Sequence, residues 1–474
     1  LGNAETLSVI DLSFGGSYDS DGLNRCWQKT LHNQFHDILP GSSVKGVYDG
    51  TDRDYAEITA YGERVVSEKL DALANRIQTD GGVLVYNPTG FARNAVITQN
   101  GYTELVRTVP AFGWIVIKTV DFENRVKVNG LTVENAYYVL TLDRAGQISR
   151  LYDKRVEREV LTGRGNVLTA YEDYPTKYDA WELEDYYPLK AYELNEEATI
   201  TPVTDGTRAG FVIQRSYLNS TVRQTLWLYS ESARIDFETE LDWHEHHQVL
   251  RTEFPLNVHA MGATFDVQYG HVTRPTHRNT SWDRAKFETY AHKWVDLSES
   301  GYGVALLNNG KYGYAADGNR LSMTLVKSAT DPNPDADQGR THFTYSLLAH
   351  TGDFRIGGVI EESWWLNQPL LERPISAGTG DMAEVASFVS TDQPNAVITA
   401  VKKAEADDSL IVRFYDAYDC KSRVTLMVPR IYTRAYLCDL MENELDSLEV
   451  TDGCVTVPVS NFEIVTVKFC RGQF

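Results

Sequence analysis

Apolar and polar positions divide the chain into two textures. Near the amino terminus Leu23, Trp27, Leu31, Phe35 and Ile38 recur at helical intervals, which places them on one face of a helix running from about Asp21 to Leu39. Ser20 or Asp21 can cap its start, because a short polar side chain accepts from the unpaired N–H groups of a first turn, and Pro40-Gly41 stops it. A second stripe, Tyr55, Ile58, Val65, Val66, Leu70, Leu73 and Ile77, predicts a helix from about Asp52 to Ile77. Two antiparallel helices cannot bury both apolar faces alone, so a third helix or a partner surface is expected.

At Gly81-Gly82 the texture changes to short β-branched and aromatic runs and does not change back. Val83-Leu84-Val85-Tyr86 reads as a strand ended by the turn formers Asn87-Pro88-Thr89-Gly90. Tyr137-Tyr138-Val139-Leu140-Thr141-Leu142 closes on Asp143-Arg144-Ala145-Gly146, and Val304-Ala305-Leu306-Leu307 on Asn308-Asn309-Gly310. The fold class is therefore mainly β: a short α-helical segment followed by stacked antiparallel β-sandwiches. Breaks near Gly81, near Asn124–Gly130 and across Arg373–Asp381 suggest four units. These are a helical segment over 1–80, a small β domain over 81–125, a large β domain over 126–380 and a C-terminal β-sandwich over 381–474.

Composition narrows the function classes. A net charge of −21 disfavours nucleic acid and anionic membrane surfaces, which are bound through clustered Lys and Arg, and is compatible with a neutral polyol such as a sugar. No run approaches the roughly 20 apolar residues of a membrane span. Cys26, Cys420, Cys438, Cys454 and Cys470 form an odd set without a Cys-x-x-Cys pair, so neither a zinc knuckle nor a disulfide framework is indicated, and a reducing cytosol fits. The sequence does not begin with Met, and a longer parent chain is expected.

Several segments could carry chemistry. His244 and His246 in Trp243-His244-Glu245-His246-His247 would share a face if on a strand, which suits a metal, although surface histidines are the plainer reading. Tyr171-Glu172-Asp173-Tyr174 and Tyr178-Asp179-Ala180-Trp181-Glu182-Leu183-Glu184-Asp185-Tyr186-Tyr187 mix carboxylates with aromatics, a combination suited to sugars; a paired-carboxylate glycosidase and a plain surface loop both remain open. Arg274–Asp283 is a Pro-interrupted polar connection, and Asp331–Asp337 reads as a solvated loop lacking the Gly and distal Glu of an EF-hand. His36-Asp37 can present an imidazole and a carboxylate to one cavity, a donor pair that zinc accepts, although a packing histidine is the common alternative.

Asn33-Gln34-Phe35-His36-Asp37-Ile38-Leu39-Pro40-Gly41-Ser42-Ser43 resembles the signature of the family-38 α-mannosidases, in the branch with bacterial and cytosolic or vacuolar members. Val85-Tyr86-Asn87-Pro88-Thr89-Gly90, Tyr178-Asp179-Ala180-Trp181, Thr276–Asp283, Ala291–Asp296, Leu306–Gly313, Ala336–Gly339 and Asn367–Leu370 are similar to that family in the same order, so the resemblance covers essentially the whole chain. It implies that the helices belong to a three-helix segment, that the large β domain is a supersandwich, and that an amino-terminal α/β barrel precedes them in the family. It further implies a zinc ligand at His36, a sugar-binding carboxylate at Asp37, and a retaining mechanism whose nucleophile lies in the barrel. No catalytic residue is assigned within this chain, and the Glu172–Asp185 cluster is not given the acid/base role. The expectation is the carboxyl-terminal portion of a zinc-dependent α-mannosidase, inactive alone, acting with its barrel on α-mannoside oligosaccharides, with homo-oligomerisation left open. A non-catalytic carbohydrate-binding or assembly module is the alternative outside catalysis; within it, a hydrolase of a small conjugate such as mannosylglycerate.

Overall fold

The computed structural model describes residues 1–99, 102–118 and 124–472. It opens with three helices rather than the two expected. Helix α1 (Gly2–Ser13) buries Ala4, Leu7, Val9 and Ile10 and lies against both another helix and the strand Ala396–Lys403. The Thr6 hydroxyl donates to Val401 O at 3.2 Å, and the hydroxyls of Ser13 and Tyr432 are 2.6 Å apart. The third helix is thus in the chain, ahead of the first one expected.

Helix α2 (Ser20–His32) is capped by Asp19, whose carboxylate accepts from Gly22 N at 2.9 Å, in place of the expected Ser20 or Asp21. It ends at His32, short of the expected Leu39, and residues 34–41 turn tightly. The stripe that extends the helical period past His32 is not core: Leu31, Phe35 and Leu39 are 63%, 57% and 63% exposed, and only Leu23 is fully buried. Helix α3 (Lys45–Arg76) starts earlier than the expected Asp52 and buries Ile58, Val65, Leu70 and Leu73, while Tyr55 stays exposed.

Past α3 the described residues are overwhelmingly antiparallel strand, as the alternating pattern requires. Gln78–Asn87 is the strand containing Gly81-Gly82, and it is paired on one side with Gly113–Ile117 and on the other with Leu371–Thr379. Gly82 sits at φ +142° with Ile117 O 2.2 Å from where a Cβ would be, so the pairing requires glycine. Leu371–Thr379 occupies most of the expected break across Arg373–Asp381. Its backbone groups bond to residues nearly three hundred positions away, a pairing that local turn formers cannot reveal.

The large β region pairs a nine-stranded sheet with a six-stranded sheet. Arg234–Trp243 and Gly339–Thr351 are neighbours in the first, and Gln248–Pro255 and Arg320–Lys327 in the second. Their inner faces meet through Phe237 and Phe254, with ring centroids 5.9 Å apart, while Phe237 also stacks on its cross-strand neighbour Tyr345 within the first sheet. The last region packs a five-stranded sheet on a three-stranded one. Its core is continuous with Leu7 and Ile10 of α1, Leu84 and Trp114 of the small sheet, and Leu70 and Leu73 of α3. The helices therefore find their partner surface on the C-terminal sandwich, and no helix among the described residues is long and apolar enough to cross a membrane.

Candidate functional site

The turn from α2 to α3 is pinned at both ends. At its start Asn33 is buried; its amide donates to Lys29 O at 2.9 Å and Asp54 Oδ2 at 3.2 Å, and its oxygen accepts from the Thr51 hydroxyl at 2.8 Å. At its end Tyr48 donates to Asp37 O at 3.2 Å and accepts from Ser43 N at 2.9 Å, while Ser42 N donates to Asp37 O at 3.1 Å. Burial, helped by the Asp337 and Asp37 carboxylates, pushes the Tyr48 phenol upward, so it remains a donor.

This frame holds His36 and Asp37 outward. The His36 ring is 75% exposed, with Nε2 3.3 Å from Asp37 Oδ2, and it lies 4.3 Å from the Phe35 ring. Phe35 is exposed beside the His36 ring, and Leu31, Leu39 and Val44 on the same stretch of chain are exposed apolar side chains too. The pair can offer a nitrogen and a carboxylate oxygen to a metal, or accept from hydroxyls. Among the described residues no group of three or more His, Cys, Asp and Glu comes together to hold a metal. A metal held by His36 and Asp37 would therefore need further ligands from outside the described residues of this chain.

The other candidates converge on the neighbouring surface. The strand Arg234–Trp243 ends before His244, so His244 and His246 do not share a strand face as proposed for a metal. Instead His244 Nε2 lies 2.9 Å from Asp242 Oδ1, His246 points to solvent, and His247 at φ +52° stacks on Tyr174 at 4.6 Å. The carboxylates of the aromatic-acid loop are mostly committed locally. Glu172 meets Lys190 at 2.7 Å and Asp173 meets Lys327. Asp179 accepts from Thr330 N at 2.7 Å, Glu184 from the Thr176 hydroxyl at 2.9 Å, and Asp185 meets Arg284 at 2.6 Å. The Lys190 and Tyr192 donors hold Glu172 below the usual carboxylate range, whereas burial pushes Asp173 up despite Lys327.

Two links tie this loop to its surroundings. Arg284 belongs to α4 (Ser281–Arg284), a single turn closed by a reciprocal Thr280–Asp283 cap, so the 274–283 connection braces the aromatic-acid loop and leaves Trp282 exposed. On the other side Asp179 fixes Thr330, and the loop that follows returns Asp335 to Lys45 of α3 at 2.5 Å. The 331–337 loop, expected only as a solvated connection, therefore bridges the aromatic-acid loop and the His36 turn. Lys45 and Tyr48 carry no chemical motif and were missed in the sequence; their position just after Ser42-Ser43 was the one available signal.

Three segments of the chain match successive domains of one family of glycosyl hydrolases. Residues 1–73 match the alpha mannosidase middle domain, residues 133–335 the glycosyl hydrolases family 38 C-terminal domain, and residues 395–467 the family's C-terminal beta sandwich domain. The chain belongs to glycosyl hydrolase family 38, whose middle and C-terminal domains it carries. It is 32% identical to Alpha-mannosidase 2C1 of Homo sapiens, over 98% of this chain and 47% of that protein. It is 28% identical to Alpha-mannosidase G of Dictyostelium discoideum, over 98% of this chain and 49% of that protein. The chain thus spans about half the length of the curated relatives it matches. Its fold is also that of an alpha-mannosidase from Enterococcus faecalis V583, at 17% identity and a TM-score of 0.83, covering 98% of this chain and 65% of that one.

Proposed function

We propose that this chain forms part of a zinc-dependent retaining α-mannosidase that removes terminal α-mannosyl residues from oligosaccharides or glycans. The observation that carries the reading is the His36–Asp37 pair, held outward on a doubly pinned turn with exposed apolar side chains on the same stretch of chain. Such an edge is incomplete until another surface closes over it. His36 would give its imidazole as one zinc ligand, and Asp37 would accept from sugar hydroxyls beside it. When bound, the metal would supply a Lewis-acidic anchor for hydroxyls of the mannose ring. Asn33, Tyr48 and the Ser42-Ser43 backbone keep the pair oriented, so little freedom is lost on binding. The nucleophile is assigned to the amino-terminal domain of the family and to no residue of this chain.

The test uses the full-length protein that contains this chain. His36→Ala should lower zinc content and hydrolysis of an aryl α-mannoside together; a variant that keeps both removes His36 from the ligand set. The chain alone should show neither stoichiometric zinc nor turnover, and robust turnover would overturn the division of labour.

A further inference from the structure

The loop between the strands Val167–Glu172 and Ala191–Glu193 displays rings that packing does not explain. Tyr178 is 65% exposed and Trp181 52%, and their rings meet edge to face at 6.3 Å. Tyr178 also sits at φ +55°. That left-handed conformation is strained for a bulky residue, and an exposed ring recovers little of the strain by burial. The conformation is nevertheless fixed. Tyr178 O accepts from Trp181 N at 2.8 Å and Glu182 N at 2.9 Å, Asp179 is clamped to Thr330, and Tyr186 donates to Tyr174 O at 3.1 Å. The two rings are thus fixed, exposed and ready to take a ligand without rearrangement.

Rigid aromatic faces suit the C–H faces of sugar rings, and exposed Glu182 adds an acceptor for hydroxyls. The same scaffold reaches the His36 turn, because Asp179 holds the start of the 331–337 loop and Asp335 of that loop pairs with Lys45. Acidic groups on these loops are in part already paired, Asp185 with Arg284 and Asp335 with Lys45, so the rings rather than net charge carry the recognition.

We propose that Tyr178 and Trp181 form the subsite for the leaving-group sugar of a mannosyl oligosaccharide, adjoining the site edged by His36 and Asp37. The inference rests on the α-mannosidase reading. It further assigns the specificity for the sugar beyond the cleaved bond to this chain.

The experiment compares α-linked mannobiose, whose leaving group is a sugar, with α-mannosyl fluoride, whose leaving group has no ring to stack, in the full-length enzyme. Trp181→Ala should lower kcat/KM about tenfold on mannobiose, the scale of one lost aromatic contact, and less than about threefold on the fluoride. Trp181→Phe, which keeps a ring, should restore most of the loss, with zinc content and melting temperature unchanged in both variants. Equal losses on the two substrates, no loss on either, or a loss that follows zinc or stability would overturn the subsite. A wild-type preference for mannosylglycerate over mannobiose would overturn a sugar ring as the leaving group this surface selects. Failure of the wild-type enzyme to cleave any α-mannoside would instead remove the α-mannosidase reading on which the subsite depends.

Discussion

Asn33→Ala should loosen the His36 turn without unfolding the chain. Asn33 makes three side-chain hydrogen bonds, to Lys29 O, Asp54 and Thr51, and is almost fully buried. Each partner keeps another bond after the change. Lys29 O still accepts from the backbone at 3.1 Å, Asp54 still meets Lys29 Nζ at 3.0 Å, and the Thr51 hydroxyl still reaches Val47 O at 3.2 Å. No buried group is orphaned, so the loss is the net worth of the bonds, about 2 kcal/mol, rather than a full desolvation penalty. At about 1.4 kcal/mol per factor of ten, local opening becomes about thirtyfold more populated. Amide hydrogen exchange reads this directly. Ile38 N and Leu39 N, bonded to Phe35 O, and Ser42 N, bonded to Asp37 O, should exchange about thirtyfold faster. Val467 and Phe469 in the C-terminal sheet should not change. An acceleration below about threefold at the turn, or one of equal size throughout the chain, would refute the claim that Asn33 holds the turn.

Gly82→Ala should cost about 3 kcal/mol in a urea titration, since its Cβ would strike Ile117 O; a midpoint shift no larger than that of an exposed loop substitution would show that the strand relaxes freely. Asp266 is buried, and burial pushes its carboxyl up to about 6 despite Lys293. The folded state therefore holds a proton that the unfolded chain releases near pH 4, and stability falls as pH rises from about 4 to about 6. Asp266→Asn should flatten that fall and raise stability at pH 7 by about 1–3 kcal/mol; an unchanged pH profile refutes it. All five cysteines are free thiols, so dithiothreitol should move the melting temperature by no more than about one degree, and a larger drop would reveal a bridge.

The sequence was legible where one surface governs a segment. The Ile58–Leu73 stripe of α3 and the strand runs after Gly82 repeat with the period of the face they bury. Helix α1 was missed because Leu7, Val9 and Ile10 face two partners, α3 and a strand of the C-terminal sandwich, and no single stripe results. The end of α2 was misplaced for the opposite reason. Phe35, Ile38 and Leu39 keep a helical spacing, but tertiary bonds from Asn33 stop the helix and leave two of those three side chains exposed. The pairing of Gln78–Asn87 with Leu371–Thr379 was invisible because strand register across such a separation is set by the assembled core. His36 was legible only through its resemblance, since a lone histidine after a helix has no distinguishing period or spacing.

The carboxylates sharpen what this chain contributes. A retaining glycosidase needs two of them about 5 Å apart and free to act on substrate. In the loop richest in acids Glu172, Asp173, Asp179, Glu184 and Asp185 already meet Lys190, Lys327, Thr330, Thr176 and Arg284. Releasing any of them would cost the loop its shape. What the same loop leaves exposed is Glu182 and the aromatic surface at Tyr178 and Trp181, and the His36 turn presents an imidazole beside a carboxylate. Charge here serves mainly to fix loops, and the groups left free are those that recognise and orient. On the α-mannosidase reading, the division of labour then follows from chemistry: bond cleavage belongs to the domain that brings the nucleophile, and this chain closes the site and selects what enters it.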